Sequence, residues 1–167
     1  MSLLLVFAGL PGAGKTHLAR AVADRLGSTF LRIDTIEAAV SSTLMPVEGN
    51  PVGYVAAEWV AQDQLTSGRD VVVDACNDVE VAREGWRALA ERTGARLAWV
   101  EVVCSDTAEH RRRLADRDTD WPGQGNPSWE QVRRRTAGWE PFTDERLLVD
   151  NVGAAGPHVE AVLAHVG

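Results

Sequence analysis

The chain has 167 residues, of which 45% are apolar and 25% charged, and 17 basic against 24 acidic side chains leave a net charge of −7. These proportions exclude a disordered chain, a collagen-like repeat and a small disulfide scaffold, and they suit one domain with its own core. An acidic body repels phosphate backbones at long range, which argues against a broad nucleic-acid-binding surface and leaves room only for a local basic pocket. Lys15 is the sole lysine among arginines. A compact ammonium on a flexible stem does what a planar guanidinium fork does not, so Lys15 is the first residue to question.

Along the chain, Leu3–Ala8 is a continuous apolar run of the kind that a parallel strand buried on both faces requires. A glycine-rich turn follows, and apolar residues at Leu18, Ala19, Val22 and Leu26 predict a helix over Lys15–Leu26, closed by Gly27. Thr29–Ile33 predicts a second strand that stops at Asp34, with a short helix over Thr35–Ser42. Met45–Gly53, rich in proline and glycine, predicts a loop, and Val55–Thr66 a longer helix. Val71–Val73 predicts a third strand that stops at Asp74. The alternation continues with a helix over Glu80–Arg92, a strand over Arg96–Val103 and a basic helix over Thr107–Arg117. A loop at Trp121–Pro127 precedes a helix over Trp129–Ala137, for which Ser128 and Gln131 form a capping box. A strand over Leu147–Val149 and a helix over Pro157–Val166 complete the order. Strands and helices alternating in this way predict a three-layer α/β domain with a mainly parallel five-stranded sheet.

Gly9-Leu10-Pro11-Gly12-Ala13-Gly14-Lys15-Thr16 matches G-x-x-x-x-G-K-[ST] in full, between a buried strand and a helix, the context that gives the motif its meaning. Its glycines let backbone N–H groups converge on an anion, and the helix adds its positive end. Gly9, Pro11, Gly12, Ala13, Gly14, Lys15, Thr16 and His17 are therefore the expected nucleotide-binding positions, with Lys15 at the β- and γ-phosphates of ATP and the Thr16 hydroxyl on Mg²⁺. Asp34 and Asp74 fall at the carboxyl ends of strands, where ligands of open α/β sheets bind. Asp74 is the expected second metal ligand and Asp34 the group that accepts the proton of an attacking hydroxyl. Both also suit helix N-caps, a role compatible with chemistry. Arg113 and Arg117 lie four apart on one helical face, placed to stabilise charge on a transferring phosphoryl group.

These segments resemble the small P-loop kinases known as AAA-family ATPases or predicted kinases, a group related to polynucleotide kinases, zeta toxins, gluconate and shikimate kinases and chloramphenicol phosphotransferase. The resemblance rests on Gly9–Thr16, Arg32-Ile33-Asp34-Thr35-Ile36, Val71–Asn77, the Arg113/Arg117 pair and the tail Trp129...Trp139-Glu140-Pro141-Phe142. It implies the nucleoside-kinase-like P-loop fold as a single domain over residues 1–167, with a helical lid at roughly 105–139. It places the base at Asp34, a D-x-x-N motif at Asp74 and Asn77, lid arginines at Arg113 and Arg117, and substrate contacts at Arg32, Asp34 and Asn77. Polynucleotide kinases tend to carry an arginine shortly after the base where this chain has Glu37, which weighs against a nucleic-acid acceptor.

The reading that follows is an ATP-dependent phosphotransferase acting on a hydroxyl of a small molecule. Its rivals are a nucleotide-dependent switch that binds a protein partner and a polynucleotide or nucleotide 5′-kinase. The expected acceptor site lies between Asp34, the Met45–Gly53 loop and the Trp121–Asn126 loop. Trp59, Trp86 and Trp99 are expected in the core. Trp121, Trp129 and Trp139 flank the lid, where packing is favoured over stacking on a substrate. His17 is expected to pack rather than catalyse, and His110, His158 and His165 lack metal-ligand spacing. Cys76 and Cys104 predict reduced core thiols in a cytoplasmic protein. The apolar opening is too short to span a bilayer and does not end like a leader, so a soluble, unexported chain is expected.

Overall fold

The computed structural model describes residues 1–43, 49–117 and 125–167. Five strands, β1 (Leu3–Ala8), β2 (Thr29–Arg32), β3 (Val71–Asp74), β4 (Arg96–Val103) and β5 (Leu147–Asp150), form one sheet in the order β2-β3-β1-β4-β5. Every pairing is parallel. The helices are α1 (Lys15–Leu26), α2 (Ile33–Thr43), α3 (Val52–Thr66), α4 (Glu80–Thr93), α5 (Thr107–Ala115), α6 (Trp129–Ala137) and α7 (Gly156–Val166). This is the three-layer α/β architecture that the alternation predicts, with the parallel five-stranded sheet of the P-loop kinase fold that the resemblance implies.

The pleat of β1 explains the layers. Successive side chains point to opposite faces. Leu3, Leu5 and Phe7 enter one core with Leu18 and Val22 of α1 and Val159 and Val162 of α7. Leu4 and Val6 enter the other with Ala57 and Ala61 of α3 and Trp86 and Leu89 of α4. Burial on both faces is why β1 reads as an unbroken apolar run. With β1 in the middle, the chain leaves β1, β2 and β3 along one edge of the sheet, and residues 9, 34 and 75 meet there.

Three expectations change here. Strand β2 ends at Arg32, so Asp34 belongs to the first turn of α2 rather than to a strand end. Helix α3 begins at Val52, which places Gly53 inside a helix rather than in the predicted loop. The remainder of that loop at 45–48, and Trp121 with residues 122–124, lie outside the described residues. Trp59 is 69% exposed instead of buried, because Gly53, Ala57, Ala61 and Leu65 form the inward stripe of α3 and position 59 falls off it. Trp86 and Trp99 are in the core as expected.

Asn77 is the largest departure from expectation. It is fully buried and serves the fold. Its Nδ2 donates to the Phe7 carbonyl at 2.9 Å, and its Oδ1 accepts from Trp86 Nε1 at 3.0 Å. Its backbone N–H donates to the Tyr54 hydroxyl at 3.2 Å, and its carbonyl accepts from Arg83 at 3.0 Å. The backbone there is left-handed, with φ 54°, which asparagine tolerates better than most residues. Arg83, itself fully buried, continues the network to the carbonyls of Glu140 and Pro141 and stacks over Phe142. Asn77 is thus committed to protein partners on every polar group. Asn77→Ala should lower stability by about 2–4 kcal/mol, since it strands a buried indole N–H and a carbonyl. The urea midpoint measures this loss. A variant of unchanged stability but lost activity would return Asn77 to the substrate.

Candidate active site

The loop after β1 takes up the cradle geometry through its glycines. Gly12 and Gly14 have φ of 83° and 88°, and Gly14 precedes the first residue of α1. Space forbids side chains there as firmly as backbone angle does. A Cβ on Gly12 would lie 3.0 Å from the His110 ring, and one on Gly14 would strike the Asn151 amide. His110 Nε2 donates to the Pro11 carbonyl at 2.8 Å, and Asn151 Nδ2 donates to the Ala13 carbonyl at 3.0 Å. Two residues far along the chain therefore grip the loop from two sides. Lys15 is buried and its ammonium reaches the Leu10 carbonyl at 3.4 Å.

A cavity of about 1430 Å³ opens along the carboxyl edge of the sheet. Pro11, Gly12, Gly14, Lys15, Thr16, His17, Arg32, Asp34, Asp74, Arg113 and Arg117 all line it. Gly9 and Ala13 instead face a smaller, apolar cavity of about 230 Å³ on the other side of the loop. His17 is exposed on the cavity wall and does not pack in the core. Asn77 does not reach either cavity.

The two aspartates are joined by Arg32, which is buried to 6% exposure. Its guanidinium lies 3.5 Å from Asp34 Oδ2 and 3.7 Å from Asp74 Oδ2. Strand register makes this geometry, because Arg32 of β2 stands directly beside Asp74 of β3. Arg117 reaches across from beyond α5 and donates to Asp34 Oδ2 at 3.0 Å. Burial pushes the Asp34 carboxyl up, but Lys15, the hydrogen bond from Arg117 and the charge of Arg32 outweigh it and hold the group below its ordinary value of 3.8. Asp34 is therefore ionised at neutral pH.

Arg113 is fixed by Glu109 Oε1 at 2.8 Å and by the Asn151 carbonyl at 2.7 Å, so Asn151 links this arginine to the P-loop. Arg111 lies over the Trp129 ring and Arg112 pairs with Glu109 on the surface, which leaves Arg113 and Arg117 as the α5-side arginines of the cavity. Trp129 packs edge-on to His110, and Trp139 lines the smaller cavity.

Comparison with known proteins places this arrangement. Residues 4–140 match a family described as AAA domain. The chain belongs to that family. Among curated proteins this AAA domain is similar to the UPF0200 protein of Aeropyrum pernix, 32% identical over 101 residues, a match covering 51% of this chain and 54% of that protein. The chain thus matches about half the length of that relative. Among solved structures it resembles a sugar kinase from Janibacter sp. HTCC2649, with TM-score 0.73 at 18% identity, covering 99% of this chain and 95% of the other. It also resembles a gluconokinase from Sinorhizobium meliloti 1021, with TM-score 0.68 at 21% identity, covering 98% and 93%. At these identities the likeness establishes the fold.

Further residues complete the walls. Glu37, noted in the sequence only as a departure from polynucleotide kinases, lines the cavity with Arg134 and Arg135, of the arginine run that could join the lid arginines; Arg20, and Cys76, which was expected in the core, were not foreseen there. Burial pushes the Cys76 thiol up in spite of Lys15 and Arg135 nearby. Cys104 is also half-buried, and both thiols are free. The donor set for a magnesium ion is chemically apt: a hydroxyl, Thr16, and a carboxylate, Asp74, face one cavity, and a hard cation that keeps several waters needs few protein oxygens. Among the described residues no helix is long and apolar enough to cross a membrane.

Because the folded Asp34 carboxyl titrates below its unfolded value, its ionisation stabilises the fold above about pH 3.8, and that contribution is lost as pH falls through the folded value. Arg117→Gln removes a lowering influence and should move the Asp34 titration upward, read by carboxyl NMR. An unmoved titration would separate the two residues.

Proposed function

We propose that this chain is an ATP-dependent kinase that transfers the γ-phosphoryl group to a hydroxyl of a small molecule. The observation that carries the reading is one cavity holding both a P-loop lysine and an ionised carboxylate ringed by arginines. Its volume of about 1430 Å³ exceeds the ~300–1,000 Å³ of an ordinary single-ligand pocket, which suits a nucleotide and an acceptor side by side. The likeness in fold to a sugar kinase and a gluconokinase supports the same class.

In this reading the N–H groups of the P-loop and the start of α1 receive the β-phosphate, and Lys15 spans the β- and γ-phosphates. Thr16 and Asp74 hold Mg²⁺, which when bound neutralises charge on the phosphate oxygens. Asp34 orients the acceptor hydroxyl. As that oxygen bonds to the γ-phosphorus and the bond to the leaving ADP oxygen breaks, the hydroxyl proton passes to the Asp34 carboxylate and on to solvent. A carboxylate of lowered basicity suits a loose transition state, in which the nucleophile needs aim more than early deprotonation. Arg113 and Arg117 stabilise charge spread over the transferring oxygens, and closure of the lid excludes competing water. The acidic exterior weighs against a polynucleotide acceptor. The cytoplasm, where ATP is plentiful, is the matching compartment.

The test is transfer from γ-labelled ATP with Mg²⁺ to a panel of hydroxyl compounds. We expect a labelled organic product, lost by ~10²-fold or more in Lys15→Ala, where phosphate charge goes uncompensated. Asp34→Asn should lose ~10²–10⁴-fold while binding ATP normally. Free phosphate alone, indifferent to Asp34→Asn, would favour a nucleotide-dependent switch.

A further inference from the structure

We propose that Glu37 is the specificity-determining residue of the acceptor half of this cavity, and that the acceptor is a polyhydroxylated small molecule donating a second hydroxyl to its carboxylate; the proposal rests on the kinase reading above.

Asp34 and Glu37 are three positions apart in α2, so the two carboxylates share a helical face, and both line the large cavity. The stem of Glu37 is pressed onto bare backbone where α3 crosses α2. A Cβ at Gly53 would lie 2.6 Å from Glu37 Cγ and 3.0 Å from its Oε1. A glycine inside the inward stripe of α3 thus makes the space in which Glu37 lies. A side chain with its stem held in this way loses little freedom when it engages a ligand.

The two carboxylates differ in what already occupies them. Asp34 accepts from Arg117 and Arg32. Among the described residues no side chain or backbone N–H donates to Glu37, although it is half-buried. Burial and the neighbouring Asp34 push its carboxyl up, with Arg135 acting against them. A half-buried carboxylate on a ligand cavity with open lone pairs needs donors from the ligand. Hydroxyl groups meet that need. A cationic acceptor is disfavoured by Arg32, Arg117 and Arg135 on the surrounding walls, and a phosphate placed at Glu37 is repelled.

The remaining walls agree. Among the described residues no Phe, Tyr or Trp side chain lines this cavity. Gln131 and Asn126 supply amide donors and acceptors instead. Adjacent hydroxyls on a carbon chain or ring would let one oxygen meet Asp34 and the γ-phosphate while its neighbour meets Glu37.

The experiment compares wild type, Glu37→Gln and Glu37→Ala on a hexitol, an aldohexose, an aldonic acid and an amino sugar, each beside its monodeoxy analogue, and on a simple alcohol and a phenol. Transfer from labelled ATP is one readout. Calorimetric binding in the presence of Mg²⁺ and a non-hydrolysable ATP analogue is the other. We expect at least one polyol to be phosphorylated, with KM raised ~10–100-fold in Glu37→Ala and kcat within about threefold. Preference over the deoxy analogue should shrink by a similar factor, and Glu37→Gln should fall between. Unchanged KM and preference in Glu37→Ala, or transfer only to the alcohol or the phenol, would overturn the role of Glu37 and leave the kinase intact. Polyol binding that depends on Glu37 without transfer to any acceptor would support the ligand class and overturn the kinase reading. Neither binding nor transfer of any polyol would overturn the proposal outright.

Discussion

A bare α-carbon at position 9 is the constraint from which the site follows. The Gly9 N–H donates to the Cys76 carbonyl at 3.0 Å, on the β3 side, while the space a Cβ would need is taken by the Val102 carbonyl on the β4 side. The loop is therefore wedged between the exits of two neighbouring strands, and its φ of 142° belongs to glycine. The stem of Lys15 packs over the same point, with its Cδ 3.2 Å from where that Cβ would sit. Closure of the loop, the start of α1 and the direction of the lysine are consequences of one close approach. His110 and Asn151 then hold two of its carbonyls, at Pro11 and Ala13.

A second constraint is the burial of Arg32. A guanidinium this far from water is costly unless matched by opposite charge in good geometry. Strand pairing brings Asp74 beside it, and the first turn of α2 supplies Asp34. The residue that satisfies the charge also fixes the spacing between the two carboxylates. Arg117 adds a contact from the other side of the cavity, and the result is an Asp34 whose carboxyl three cations hold below its ordinary value. Structural demand and chemical use coincide at this point, which is why the ion pairs here are more than surface decoration.

What the sequence disclosed follows from how local each feature is. The strand, the cradle and α1 form one contiguous stretch whose meaning is set by neighbours in the chain, and they were legible residue by residue. The capping box at Ser128 was legible for the same reason, and both of its hydrogen bonds are present. Asn77 was misread because its spacing from Asp74 looks like a ligand motif, whereas its role is decided by Phe7 and Trp86, brought to it only by folding. Trp59 was misread because helical α3 has small residues on its inward stripe, so bulk gave no clue to direction. Asn151 left no local signal at all: it meets Ala13 across 138 residues of chain. Glu37 was noticed as a departure from related kinases, but its open carboxylate becomes visible only once Gly53 is seen against it.

The arginine-rich segments show how an acidic protein keeps a basic cavity. Arg112 pairs with Glu109, and Arg133 and Arg134 pair with Glu130, at the three- and four-residue spacings of a helix surface. Such exposed pairs contribute little to stability, on the order of 0–1 kcal/mol each. They do cancel charge where it would otherwise draw polyanions to the exterior. Arg32 and Arg117 find partners across the cavity, and Arg113 divides its bonds between Glu109 and a backbone carbonyl. Among the described residues, seven cationic side chains then line the cavity against three carboxylates, within a chain of net charge −7. A field of this shape draws a small anion to the opening and turns a long one away at the surface. Arg112 and Arg133 thus stay on the surface with their partners, whereas Arg113 and Arg134 keep a carboxylate partner and still line the cavity.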